Sequence, residues 1–226
     1  MKKIGLIVAI EIDSVLKKYG KPIAEKDAAG CRIFEYNTDK YLLVVAHCGA
    51  GEIAAATATQ YLITAYGVEL ILNFGVVGGL TDDMSKTRIC IVKKVVHYDF
   101  DTSAVDEGVV PGRYIQYPDA FIPMSEWTAE KALCVYPDLR PVVCASGDKF
   151  LADPVVKAKL HERYGADICD MEAAGIALTC ERNGVPCMIL KIVSDGITGG
   201  AEEYLAAKNE TADICFGIVD RIIGSL

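Results

Sequence analysis

The sequence has no Cys-x-x-Cys pair, no Walker-type lysine and no Gly-x-Gly-x-x-Gly turn. Its three histidines stand far apart at 47, 97 and 161, so the usual zinc spacings are missing as well. The common cradles for metals, nucleotide phosphates and dinucleotides are therefore missing, and no cofactor is expected. No apolar run reaches the roughly 18 residues of a membrane helix. The short apolar opening Ile4 to Ile10 follows two lysines but stops at Glu11 and Asp13 without a small-residue cleavage site. It reads as a first buried strand, not a leader. Positive charge is the scarcer sign, 23 residues against 31 acidic for a net of −8. That argues against a nucleic-acid footprint, which needs a basic face. The nine cysteines stand apart from one another, mostly inside apolar runs such as Ile89-Cys90-Ile91 and Val143-Cys144-Ala145. They read as small core residues of a reducing, cytoplasmic compartment.

What is present is an alternation of apolar strands and helices, with 52% apolar and 24% charged residues. Strands are expected at 3–10, 31–37, 41–46, 70–74, 88–97, 141–145 and 186–193, with a further short one before Asp170. Helices are expected at 13–19, 52–66, 125–136, 154–164, 172–184 and 201–223. Residues 21–30 read as polar and exposed, and Gly75 to Gly79 as a loop. The segment 99–124 is long enough to be a lid or a partner-binding loop. No repeat, low-complexity tract or linker interrupts the pattern, so one α/β domain over residues 1–226 follows.

The most informative stretch is Asp167-Ile168-Cys169-Asp170-Met171-Glu172-Ala173-Ala174. A buried strand runs straight into a helix, with acids at the turn. Asp170 suits an N-cap. Glu172 lies among residues meant for burial and needs a partner, and a sugar diol is one a carboxylate can accept from. A second acid, Asp195, ends the next strand at Val193-Ser194-Asp195-Gly196. Glu11 and Asp13, Gly49 and Gly51, Gly75 to Gly79, and Ser146 to Phe150 follow other strands. Carboxylates, glycines and one aromatic gathered on a single sheet edge suit a ligand with hydroxyls and a flat ring.

In this order the segments Ala9-Ile10-Glu11-Ile12-Asp13, Gly49-Ala50-Gly51, Gly75-Val76-Val77-Gly78-Gly79, Ser146-Gly147-Asp148-Lys149-Phe150, Asp170-Met171-Glu172-Ala173 and Val193-Ser194-Asp195 resemble the purine nucleoside phosphorylase/uridine phosphorylase superfamily. Within it they look most like the nucleosidases of 5′-methylthioadenosine and S-adenosylhomocysteine. The resemblance implies a single domain with a central mixed, partly barrel-like β-sheet flanked by α-helices. It implies hydrolysis of an adenine nucleoside and a homodimer, with no nucleic-acid or membrane partner. It gives Glu172 the ribose hydroxyls, Met171 the sugar face and Phe150 the base. The backbone of Leu151 would read the base edge, and Asp195, aided by Ser194, would protonate purine N7. Ile10, Ala50, Val76, Val77 and Gly78 would complete the binding surface. The water would be held by the acidic turn, where the family's Glu corresponds to Asp13 and Glu11 is the other candidate.

The chain departs from that pattern at Val76, where the nucleosidases have Ser, and at Lys191, where Arg is common. The acidic first turn and Val76-Val77 argue against a phosphate site, which needs cations and hydroxyls. Two alternatives stay open on the residues: a phosphorylase or nucleosidase for another purine nucleoside, and a nucleoside-binding protein with weak catalysis.

Overall fold

The computed structural model describes all 226 residues. The apolar runs become the inner strands: β1 (Lys2–Val8), β4 (Tyr41–His47), β5 (Leu70–Gly79), β6 (Ile89–His97), β8 (Arg140–Ser146), β9 (Ile168–Asp170) and β10 (Cys187–Asp195). β2 (Ala24–Ala28) and β3 (Cys31–Asn37) extend the sheet outward, and β7 (Phe121–Ile122) pairs with β6. The helices are α1 (Ile12–Tyr19), α2 (Glu52–Tyr61), α3 (Glu126–Val135), α4 (Pro154–Tyr164), α5 (Ala173–Asn183) and α6 (Ala201–Gly224).

The sheet is mixed and closes on itself. Its order is β10-β6-β8-β9-β5-β1-β4-β3-β2, and β10 also pairs with β5, so β5, β9, β8, β6 and β10 form a ring. β1, β4, β5 and β10 run parallel, which places their carboxyl ends together. β9 runs antiparallel to β5, pairing Cys169 with Gly78. Its end at Asp170 is thereby turned back along β5, toward Val77. Two cores fill the space on either side of the sheet. Ala55, Ala58 and Leu62 pack with Ala173 to Cys180 on one side, and Val15, Ala132 and Phe216 to Ile223 pack on the other.

The helix ends follow local chemistry. Asp153 accepts from the Val155 N–H at 2.8 Å and Pro154 occupies the first turn of α4. Asp170 accepts from the Ala173 N–H at 3.2 Å, so the expected capping role is present at α5.

The structure corrects three expectations. Residues 24–28 are exposed, as their polarity implies, yet they form an edge strand on β3. Both faces are solvated there, so no alternation marks the strand. The expected helix 52–66 changes character at Leu62, where its last turn widens into a π-helical segment ending at left-handed Gly67. The glycine cluster 75–79 is not a loop but the continuation of β5. Glycine is required there because other groups approach the strand too closely for a side chain. A Cβ on Gly79 would lie 2.2 Å from the Met84 backbone carbonyl oxygen. We expect Gly79→Ala to cost about 1–3 kcal/mol of stability through overpacking against backbone. Thermal unfolding would read this as a lowered Tm, and an unchanged Tm would contradict the close approach.

Candidate active site

A cavity opens where the parallel strands end. Its lining contains Ile10 and Glu11 after β1, Ala50 after β4 and Val76, Val77 and Gly78 within β5. Phe150 and Leu151 follow β8, Met171 and Glu172 follow β9, and Ser194 and Asp195 close β10. Every binding residue expected from the sequence therefore meets at one place. Asp13 does not. It is exposed and lines an adjoining cleft with Lys17, Lys208 and Asp213, which shares only Ile10 and Glu11 with the cavity. The first helix begins at Ile12, so Glu11 precedes it and turns inward while Asp13 faces out.

Glu11 is 8% exposed and held by backbone alone. The Ile10 N–H donates to one carboxylate oxygen at 3.1 Å and the Val76 N–H to the other at 3.0 Å. Gly75 makes this possible, since a Cβ there would stand 2.9 Å from the Glu11 Oε1.

Glu172 is the residue immediately before α5, not a residue inside it. The Gly51 N–H donates to its Oε1 at 3.1 Å, and its Oε2 has no protein donor. Burial pushes its carboxyl up to about 7, against the pull of the Lys191 ammonium and with a further push from Asp170. Behind it lies a buried network. Lys191 pairs with Asp170 at 2.8 Å, both side chains 1% exposed. Burial works against the Lys191 ammonium, but the facing carboxylates more than offset it and raise its pKa. Burial also works against the Asp170 carboxylate, and Lys191 with the Ser146 and Ala173 donors reverses that and holds it below its ordinary value. The Ser146 hydroxyl lies between Asp170 and Glu52. It has one proton for two carboxyl groups, so one of them must donate to it. That one is Glu52, which burial and the charge of Asp170 push up to about 8.

Asp195 is 1% exposed. Its Oδ2 meets the Lys157 ammonium at 2.7 Å, and its Oδ1 lies 3.0 Å from the Ser194 hydroxyl. That hydroxyl also lies 3.1 Å from the Val77 carbonyl oxygen. With its single proton it can serve either neighbour, so the site accommodates Asp195 as carboxylate or as acid. Phe150 is 43% exposed and meets Tyr204 edge-on, with ring centroids 5.3 Å apart.

Sequence reasoning missed Tyr204 and Lys157. Tyr204 comes from α6 and Lys157 from α4, helices whose apolar stripes gave no sign of facing a site. A lysine within Val155-Val156-Lys157-Ala158 in an apolar turn was a readable signal of a buried partner, though not of which one.

A family model described as the phosphorylase superfamily matches residues 3–224. The chain belongs to this superfamily. It is 31% identical over 214 residues to 5′-methylthioadenosine/S-adenosylhomocysteine nucleosidase of Shewanella pealeana, covering 90% of this chain and 92% of that protein. A futalosine hydrolase mutant of Helicobacter pylori superposes with a TM-score of 0.94 at 26% identity, covering 100% of both chains. A Helicobacter pylori nucleosidase mutant solved with 5′-methylthioadenosine in its active site gives 0.93 at 25% identity, again over 100% of both chains. The fold expected from the resemblance, a single α/β domain around a closed mixed sheet, is the fold observed.

The raised carboxyl groups set a pH dependence of stability. An unfolded chain ionises Glu near pH ~4.3. The fold keeps Glu172 protonated to about 7 and Glu52 to about 8. Between these limits the unfolded state binds fewer protons, so stability falls as pH rises. The Tm is expected to drop between about pH 5 and about pH 8, and Glu52→Gln to make the drop smaller. A Tm that rises over this range would refute the assignment.

Proposed function

We propose that the protein hydrolyses the N-glycosidic bond of an adenine nucleoside, 5′-methylthioadenosine or S-adenosylhomocysteine, and releases adenine. The observation that carries this reading is the convergence of buried carboxyl groups on one cavity that no arginine lines: Glu11, Glu172 and Asp195, with Asp170 beside them paired to Lys191. Cleavage leaves an oxocarbenium-like sugar and an electron-rich base, so it needs an acid at the base, a carboxylate at the sugar and a placed water.

Asp195 gives its proton to purine N7 as the C1′–N9 electron pair withdraws into the ring. Glu172 accepts the ribose hydroxyls on its free Oε2, and Met171 covers the sugar. The ring lies against Phe150, with the Leu151 backbone at its edge. Glu11 holds the attacking water and takes its proton as oxygen bonds to C1′. Fixed to two backbone N–H groups, it does this without reorganising. Water is the acceptor because the buried cations are already committed. Lys157 is paired to Asp195 and Lys191 to Asp170, while Lys149 sits exposed at the rim.

The similarity to a futalosine hydrolase favours a second reading in which the 5′ substituent is that of a futalosine-type nucleoside. The chemistry at C1′ and N7 is the same. Side-by-side kcat/KM values for the three nucleosides separate the readings.

The nine free cysteines suit a cytoplasmic protein. A homodimer would cover Ile53, Val105 and Ile115, which are 79%, 83% and 71% exposed. Mass measured in solution tests it.

The decisive assay is adenine release from 5′-methylthioadenosine in phosphate-free buffer. Asp195→Asn and Glu11→Gln are each expected to lower kcat by about 10²–10⁴-fold. Asp13→Asn is expected to stay within about threefold of the unaltered enzyme, as for a surface side chain outside the site. Release that depends on added phosphate would overturn the hydrolytic reading, and a large loss in Asp13→Asn would move the water to that residue.

A further inference from the structure

The Lys157 side chain is 0% exposed, on a helix that otherwise presents solvent-facing lysine, histidine and arginine. A buried ammonium is costly unless all its donors are used. Here they are: Lys157 Nζ donates to Asp195 Oδ2 at 2.7 Å, to the Gly196 carbonyl at 2.7 Å and to the Gly199 carbonyl at 3.2 Å. One side chain from α4 thus fixes both the acid at the end of β10 and the turn that leads into α6. Gly78 leaves room for it, since a Cβ there would stand 3.2 Å from Asp195 Oδ2 and 3.5 Å from Lys157 Nζ.

We propose that Lys157 is the positioning residue of the general acid, holding Asp195 in place and stabilising the carboxylate that forms as its proton passes to the leaving purine. The proposal rests on the role given to Asp195 above. In the reaction the Asp195 O–H bond breaks and an N7–H bond forms, while the C1′–N9 pair moves into the purine and a water oxygen bonds to C1′. The water's proton goes to Glu11. Lys157 keeps its own protons throughout, and its charge meets the negative charge left on Asp195. Without that cation the new carboxylate would be buried with only the Ser194 hydroxyl to stabilise it.

The other groups facing Asp195 leave this role to Lys157. Cys169 on β9 is a thiol that burial pushes up to about 12. Tyr204 on α6 is raised by burial as well, and both are neutral near pH 7. Glu203 accepts from the Gly196 N–H at 3.0 Å, on the turn beyond the acid. Glu11, Glu172 and Asp170 are the remaining carboxyl groups of the cavity; the first two are tied to backbone donors and Asp170 is paired to Lys191. The ion pair of Asp195 is with Lys157 alone.

The test is the pH profile of kcat/KM for 5′-methylthioadenosine with Lys157→Met, which keeps the length and apolar stem and removes the charge. The acid must be protonated to act, so activity falls on the alkaline side as it ionises. Removing a contacting cation makes ionisation harder. The alkaline limb should therefore move up by about 1–3 pH units, while the rate on the plateau falls because a weaker acid protonates N7 less readily. A merely structural lysine would lower activity without moving the limb. A folded, active variant with an unmoved limb, or one shifted to lower pH, overturns the proposal. An unaltered enzyme that releases no adenine removes the proposed function itself, and this role with it.

Melting of Asp195→Asn against the double variant Asp195→Asn/Lys157→Met reads the ion pair without any assay. The single variant strands a buried cation and should melt lower than the double. A double variant that melts no higher than the single would overturn the pairing.

Discussion

The constraint on which this structure depends is the burial of carboxyl groups beside a sheet that has closed on itself. Asp170, Glu172, Glu52 and Asp195 all lie behind or within the cavity, and only two lysines, Lys191 and Lys157, accompany them. Charge alone cannot balance that set. The fold resolves the imbalance by setting each lysine against one acid and by pushing Glu52 and Glu172 toward the protonated form. Asp170 stays ionised against Lys191 and repels its neighbours, which is part of why Glu52 and Glu172 hold protons so far above their ordinary range. The same arrangement leaves Glu172 with an oxygen unclaimed by protein and facing the cavity.

Closure of the sheet supplies the geometry. The end of β5 carries no side chain at Gly75, Gly78 or Gly79, and three different groups press against it there: the Glu11 carboxylate, the Asp195–Lys157 pair and the Met84 backbone. β10 and β9 can flank this bare strand closely, and both end in site acids. The glycines let strand backbone, rather than a mobile loop, form the wall of the cavity. A wall held by ladder hydrogen bonds keeps donors such as the Val76 N–H fixed relative to Glu11. Preorganisation of this kind allows a carboxylate to hold water without reorganising during the reaction.

Most of the architecture was legible in the sequence, because strands buried on both faces write themselves as unbroken apolar runs. The edge strand at Ala24–Ala28 was not, since a strand solvated on both faces carries no pattern. The acids at the strand ends were also legible. Glu172 stood out as a carboxylate among alanines, and Asp195 as an acid closing an apolar strand. Which acid of the first turn faces the cavity was not legible. Glu11 and Asp13 are two residues apart, and the choice turns on where α1 begins and how closely Gly75 lets a carboxylate approach.

The sequence by itself determined the elements, their order and the chemical inventory of the site, because hydrophobic period and turn chemistry are local properties of the chain. Only the tertiary structure decided which groups share a charge balance. Lys157 and Asp195 are 38 positions apart and meet at 2.7 Å, while Glu52 and Ser146 are 94 apart. Local pattern carries no information about such pairs. They exist because the ring closes between β5 and β10 and brings distant strand ends to one place, where burial makes every charge depend on its neighbours.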